Sequence, residues 1–143
     1  MDNLRIRTYQ PGDEQAVISL WFECKLVVAH NNPKRDIERK LAADPNGFLV
    51  GELNGAVVAT CMAGYDGHRG WINYLAVSPK LQRQGIATCL LKEIETRLRA
   101  MGCPKINLQI RETNTEVIRF YEQLGYSIDR VVSMGKRLEV DSP

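Results

Sequence analysis

The sequence predicts an α/β fold, with a mixed and mainly antiparallel central sheet that carries helices on both faces. Three observations predict this fold. Strand-like segments cluster in the first half of the chain around an Asn-Gly dipeptide, the strongest short signal for a hairpin. Two later stretches, at 86–98 and 117–124, repeat apolar residues at helical spacing. A strand-like segment lies between them, so a crossover helix connects strands that follow a meander.

The first half is predicted to hold one strand, two helices and a three-stranded meander. Leu4 and Ile6 alternate with polar residues, which suggests the first strand. A helix follows, with acids in its first turn. Its apolar face is Val17, Leu20, Trp21, Cys24 and Val28. Asn32 and Pro33 are typical of a helix start, and the second helix is predicted to run to about Ala43. The meander strands are Phe48–Leu53, Ala56–Tyr65 and Trp71–Val77.

The second half is predicted to alternate helices and strands. The third helix begins near Gly85 and ends before Gly102, a typical left-handed terminator. A strand is expected at Lys105–Ile110, and a fourth helix between Asn114 and Gly125. Two final strands are expected, at Tyr126–Arg130 and Val132–Leu138.

Composition limits the classes of protein to consider. The chain has 143 residues, so we expect one domain over residues 1–143. Its 19 basic and 17 acidic side chains are too evenly balanced to indicate a nucleic-acid or membrane partner. The four cysteines are widely spaced and match no zinc pattern, so we expect no metal site. Residues 1–7 lack the apolar core of a signal peptide, which favours a cytoplasmic protein with reduced thiols.

The stretch AVSPKLQRQGIATCLL, residues 76–91, leads from a predicted strand into a predicted helix. The first four N–H groups of a helix lack intrahelical partners and lie at the positive end of the helix dipole, which suits phosphate. Gly85 would let the backbone approach an anion closely, although an ordinary turn glycine explains the pattern as well. No Gly-Lys-Ser/Thr follows, so the loop is not a Walker loop. The first glycine of a dinucleotide fingerprint is also absent.

Two motifs resemble those of the GNAT superfamily of N-acetyltransferases. The first is Val-x-Pro-x-x-Gln/Arg-x-x-Gly-x-Gly/Ala, which Val77 to Ala87 match. The second is Asn-x-x-Ala-x-x-x-Tyr-x-x-x-Gly-Phe/Tyr, which 114–126 match except that Val117 replaces the alanine. The stretches NPKRDIERK, YDGHRG, GCPKI and SMGKRL further resemble the bacterial YpeA-like branch.

The resemblance implies acetyl-CoA as the acyl donor. Its pyrophosphate would bind the backbone N–H groups of the loop. Its pantetheine arm would lie along the end of the strand before it, where a splay from the next strand exposes main-chain groups. The residues implied to contact the cofactor are Leu75, Ala76, Val77, Gln82, Arg83, Gln84, Gly85, Ile86, Ala87, Thr88 and Asn114.

The implied reaction is direct attack of an amine on the thioester, with Tyr121 as the general acid for the departing thiolate. Backbone N–H near Val77 would stabilise the oxyanion. The acceptor would be a primary amine of a small molecule or a peptide. An acyl-CoA-binding protein with little transferase activity is the alternative. The sequence leaves the oligomeric state open, with a homodimer as one option.

The general base is not assigned by the motifs. Two positions that often carry glutamate in the family hold Trp71 and Gln109, and neither side chain accepts a proton as a base. Trp71 would either wall the substrate pocket or pack on the sheet. Glu112 is the first candidate base and His68 the second. Asp66 and Glu52 come behind them, and Asp66 also fits a turn.

Overall fold

The computed structural model describes residues 3–141, and its centre is a five-stranded sheet. The strands lie in chain order. They are β1 (Leu4–Thr8), β2 (Phe48–Leu53), β3 (Ala56–Tyr65), β4 (Gly70–Val77) and β5 (Ile106–Asn107). Neighbouring strands are antiparallel except β4 and β5, which are parallel. The predicted mixed, mainly antiparallel sheet is therefore confirmed.

Within residues 3–141, four α-helices cover the sheet on its two faces, as predicted. They are α1 (Glu14–Glu23), α2 (Pro33–Ala43), α3 (Ile86–Ala100) and α4 (Thr115–Gln123). Helices α1 and α2 pack on one face, and α3 and α4 pack on the other. Among the described residues, no helix has the length and apolar character needed to cross a membrane.

The alternation of side chains along each strand divides the apolar residues between two cores. The core under α3 and α4 includes Leu49, Ala59, Cys61, Ile72, Leu90, Leu91, Ile94 and Tyr121. The core under α1 and α2 includes Tyr9, Val17, Trp21, Ile37, Phe48, Val50, Met62 and Ala76. Each helix contributes the stripe of residues that its sequence spacing predicts, so the sheet is buried on both faces.

Local signals set most element boundaries. Asn54 and Gly55 both have positive φ, 52° and 85°, as a type I′ turn between β2 and β3 requires. The Asn32 side chain accepts a hydrogen bond of 3.2 Å from the N–H three residues on, at the predicted start of α2. Helix α1 ends at Glu23, so Val28, which we expected on its apolar face, lies outside the helix.

The two final strands expected at Tyr126–Arg130 and Val132–Leu138 are not formed: within residues 3–141, no strand follows Asn107. Instead, side chains connect this part of the chain to the neighbourhood of β5. Asp129 accepts hydrogen bonds from Lys105 (2.8 Å) and Asn107 (2.9 Å). Residues of both stretches line a cleft, and within residues 3–141 no strand pairing joins the two stretches.

The strand expected at Lys105–Ile110 is also shorter than predicted. It pairs with β4 only through Gly70–Ile106 and Trp71–Asn107. Beyond these pairs β4 and the chain after β5 separate. The separation leaves one edge of β4 open over most of its length, which positions the candidate site.

Candidate functional site

The loop between β4 and α3 is exposed and begins with a 3₁₀ turn at Pro79–Leu81. Gly85 is the N-cap residue of α3, with φ of 85°, and Arg83 also has positive φ, 66°. Among the residues that the structure describes, no side chain caps this helix end. The N–H groups of the first turn of α3 are therefore available to a ligand, and the helix dipole favours an anion there.

The role of Gly85 in this structure is conformational. Apart from its chain neighbours, no atom of residues 3–141 lies within 4 Å of the place where a Cβ would stand, so space does not require glycine. The left-handed φ requires glycine instead, because residues with a Cβ rarely adopt this backbone angle. A left-handed residue directly before helical ones is the backbone combination that can bring consecutive N–H groups together in an anion-binding nest.

The open edge of β4 lies beside this loop. Ser78 N–H donates to the Val58 carbonyl of β3 (2.8 Å). Since consecutive residues of a strand point their polar groups to opposite sides, the main chain of Val77 points away from β3, into the separation from β5. The Val77 carbonyl accepts hydrogen bonds from Cys24 Sγ and Gln82 Nε2, both at 3.3 Å. The Val77 N–H faces the opening.

A β-bulge interrupts β4 before this point. Met62 pairs with Asn73 and Thr60 with Ala76, so two residues, Tyr74 and Leu75, lie opposite one residue of β3. The bulge shifts the alternation by one residue. Side chains before it and after it therefore point to different cores, and the main-chain groups of Leu75 face the same opening as those of Val77.

Tyr121 lies on the face of α4 that packs on the sheet and is only 6% exposed. Burial raises the pKa of its phenol well above the ordinary value, so the hydroxyl stays protonated at neutral pH. Its ring makes edge contacts with Phe120 and Tyr126 at centroid distances of 5.2 and 5.4 Å. Within residues 3–141 no hydrogen bond engages its hydroxyl. The group is therefore available as a donor.

A cleft of about 1190 Å³ lies between residues 103–112, α4 and residues 125–133, and the C-terminal half of α3 also lines it. Four residues singled out in the sequence line it: Trp71, Gln109, Glu112 and Tyr121. Trp71 Nε1 donates to Asp66 Oδ2 at 3.3 Å, and Gln109 Nε2 donates to Ser133 Oγ. Tyr121 and Glu112 thus line the same cleft, and of the described residues none in the loop before α3 lines it.

The family model of the acetyltransferase (GNAT) family matches residues 14–126, which is most of the chain. The chain belongs to the GNAT family. The family assignment suggested by the two motifs is confirmed, and the protein is an acyltransferase.

Curated relatives of this GNAT protein are similar over nearly their whole length. An acetyltransferase of Yersinia enterocolitica is 47% identical over 138 residues, which cover 96% of this chain and 98% of the relative. An acetyltransferase of Pectobacterium atrosepticum is 48% identical with the same coverage.

Solved structures of low sequence identity share the fold. Ard1 from Thermoplasma volcanium superposes with a TM-score of 0.76 at 22% identity, covering 89% of this chain and 84% of that one. AAC(6′)-Iy, solved with the bisubstrate analogue CoA-S-monomethyl-acetylneamine, has a TM-score of 0.75 at 19% identity, covering 94% and 98%. At these identities the likeness supports the fold of this GNAT chain.

The candidate bases lie in three separate parts of this GNAT protein, with His68 and Asp66 together in the β3–β4 hairpin. Glu112 is exposed, between β5 and α4. His68 is exposed in the β3–β4 hairpin, at the opposite end of β4 from the loop. Asp66 Oδ1 accepts two backbone N–H bonds of 2.7 Å within that hairpin, a turn role that lowers the pKa of its carboxyl. Glu52 lies on β2 and pairs with Arg7 at 3.2 Å.

Two features of the site were missed in the sequence. One is the bulge at Tyr74, because a bulge in a strand of apolar and aromatic residues leaves no mark on composition. The other is the contact of Cys24, on the C-terminal end of α1, with the Val77 carbonyl. That contact depends on how α1 crosses the sheet, which local sequence does not encode.

Proposed function

We propose that this protein transfers an acetyl group from acetyl-CoA to a primary amine of a small molecule or peptide. The observation that carries the proposal is the uncapped start of α3 beside the open edge of β4. The first offers N–H groups and a positive dipole end to a pyrophosphate. The second offers main-chain groups to an extended arm that adds to the sheet like a strand.

The residues proposed to bind the cofactor divide into three groups. The loop from Gln82 to Thr88 binds the pyrophosphate through backbone N–H groups, with Arg83 adding positive charge. Leu75 and Val77 contact the acyl-pantetheine arm, with Leu75 at its thioester end. Asn114, at the N-cap of α4, makes no capping hydrogen bond with its side chain and is assigned to the arm as well. AAC(6′)-Iy, which shares the fold, was solved with a CoA-containing bisubstrate analogue.

In the proposed reaction the amine attacks the thioester carbonyl directly. The nitrogen forms a bond to the carbonyl carbon, the C–S bond breaks, and the amine loses one proton. N–H groups of the β4 edge stabilise the negative charge on the carbonyl oxygen. Tyr121 donates its phenolic proton toward the departing sulfur. A CoA thiolate is a good leaving group, so this help is modest, on the order of 10²-fold.

Glu112 is the proposed base for the proton of the amine. It is an exposed carboxylate at the border of the cleft that Tyr121 also lines. His68 lies beyond the N-terminal end of β4, and Asp66 and Glu52 are engaged by hydrogen bonds or an ion pair. Glu112→Gln is expected to shift the acid limb of the pH–rate profile to a higher pH. An unchanged profile would remove Glu112 from this role.

The alternative function, acyl-CoA binding with little transfer, has one observation in its favour. At the positions where the family often has a base, Trp71 Nε1 and Gln109 Nε2 donate hydrogen bonds here.

The deciding experiment measures release of CoA thiol from acetyl-CoA with a panel of amines and peptides. Release that depends on an amine supports transfer. Tight CoA binding without release above hydrolysis supports the alternative. Tyr121→Phe provides the mechanistic control. We expect it to lower kcat by up to about 10²-fold while the Kd for CoA changes little.

A further inference from the structure

Tyr74 has a backbone conformation that a tyrosine adopts only under constraint. Its φ is 52°, in the left-handed region, at the centre of the β4 bulge. Such a conformation persists only where the surrounding structure fixes it, and such positions cluster at functional sites. The bulge also decides which main-chain groups of β4 face the opening. The contacts of Tyr74 therefore bear on the geometry of the proposed acyl-CoA site.

A buried chain of hydrogen bonds holds the main chain of Tyr74 from the α1 side. Trp21 Nε1 donates to Thr60 Oγ1 at 2.9 Å, and Thr60 Oγ1 donates to the Tyr74 carbonyl at 3.0 Å. Trp21 and Thr60 are both fully buried. Because a buried polar group without a partner is costly, each of these groups holds the next one in place.

The side chain of Tyr74 is fixed at the same time. Its ring stacks on Trp21 with centroids 3.9 Å apart and planes 16° apart. Its hydroxyl donates to Asp36 Oδ2 at 2.5 Å. Asp36 lies in the first turn of α2 and also contacts Arg39 at 3.4 Å. Helices α1 and α2 thus both contact Tyr74, the residue of β4 with the left-handed φ.

We infer that Trp21, Thr60 and Asp36 form a clamp on Tyr74, with Thr60 as its central positioning residue. The clamp fixes the bulge so that the Leu75 N–H points at the thioester carbonyl of a bound acyl-CoA. The inference rests on the proposed function, because it requires an acyl-CoA along β4. Free CoA has no thioester carbonyl, so the clamp favours acyl-CoA over CoA without affecting the rest of the ligand.

The test compares the affinities of acetyl-CoA and CoA for the full chain by titration calorimetry. Thr60→Val keeps the shape of the side chain but removes the hydroxyl that links Trp21 to Tyr74. We expect its preference for acetyl-CoA to fall about tenfold relative to wild type, as loss of one hydrogen bond implies, with CoA affinity within about twofold. Thr60→Ser keeps the hydroxyl and is expected to retain the wild-type preference.

A second readout follows the Leu75 amide in ¹H–¹⁵N spectra. In wild type this resonance is expected to differ between the CoA and acetyl-CoA complexes, and in Thr60→Val the difference is expected to shrink. If Thr60→Val does not fold, the same ratio of acetyl-CoA affinity to CoA affinity is measured for Tyr74→Phe, which removes only the hydroxyl bound to Asp36. Equal preferences in these variants and wild type would overturn the clamp. Failure of wild type to bind either ligand would instead refute the proposed function, and the clamp with it.

Discussion

Replacing Gly85 by glutamate would place a carboxylate at the start of α3, where the proposed diphosphate binds. Two effects are combined in this change. Any residue with a Cβ must adopt φ of 85° there, which costs about 1–2 kcal/mol of stability. Steric clashes add nothing to that cost, because in the described part of the chain only sequence neighbours of Gly85 come within 4 Å of the Cβ position. Gly85→Ala has the same backbone cost without the charge and is the matched control.

The charge effect can be estimated from Coulomb's law. A carboxylate about 5 Å from a diphosphate charge is repelled by about 1 kcal/mol in water, and two such charges give about 2 kcal/mol. This corresponds to a Kd for CoA about 30-fold weaker in Gly85→Glu than in Gly85→Ala. Both variants are expected to melt within about 2 °C of each other, a few degrees below wild type.

Titration calorimetry with CoA and thermal unfolding monitored by circular dichroism measure the two quantities separately. Repeating the titration at higher salt should narrow the gap between the variants, because salt screens exposed charges. Gly85→Lys, of similar size and opposite charge, should bind at least as well as Gly85→Ala. If all three variants had the same Kd, the pyrophosphate would not bind at this helix end.

Three further outcomes are expected. Gly47→Ala should destabilise the fold by about 3 kcal/mol in urea unfolding, because its Cβ would clash with the backbone carbonyl oxygen of Ala63. Gly12→Ala, where the Cβ has open space, should change the stability little. Hydrogen bonds from an arginine hold the pKa of Asp13 below its ordinary value, so this pair stabilises the fold above pH about 4 and its contribution is lost as the pH falls through the lowered pKa. Asp13→Asn should therefore have a flatter stability–pH curve at acid pH, and equal acid limbs would contradict this. Burial raises the pKa of the Cys61 thiol to about 12, so at pH 8 a thiol reagent should modify exposed Cys89 and reach Cys61 only after unfolding.

The elements with local signals were predictable from the sequence. Asn54-Gly55, Asn32-Pro33 and Gly85 each require a specific backbone conformation, and the structure shows all three. The helical stripes of α3 and α4 were equally clear, because burial against a sheet selects apolar residues at fixed spacing. The motifs at 77–87 and 114–126 predicted the family, and the match of the family model to residues 14–126 confirms it.

The segments whose secondary structure was predicted wrongly are those that depend on pairing between distant parts of the chain. Residues 126–138 have the composition of strands but form no ladder, and large apolar side chains such as Val132 and Leu138 remain 85% and 92% exposed. Strand propensity indicates that a segment can join a sheet, but it does not indicate whether another strand is close enough to pair with it. The general base was not predictable for a similar reason, since a base is defined by its distance from a substrate.

The bulge gives β4 two different alternation patterns in eight residues. Ile72 and Ala76 are separated by an even number of positions, yet the first packs under α3 and the second under α1. Deleting one residue at Tyr74 would restore a regular strand, turn Ala76 over to the other core, and draw the loop that starts α3 one residue closer. Loss of one residue from the exposed hairpin at 66–69 would only shorten a turn. The length of the chain at the bulge is therefore as much a fixed part of this fold as the identity of its residues.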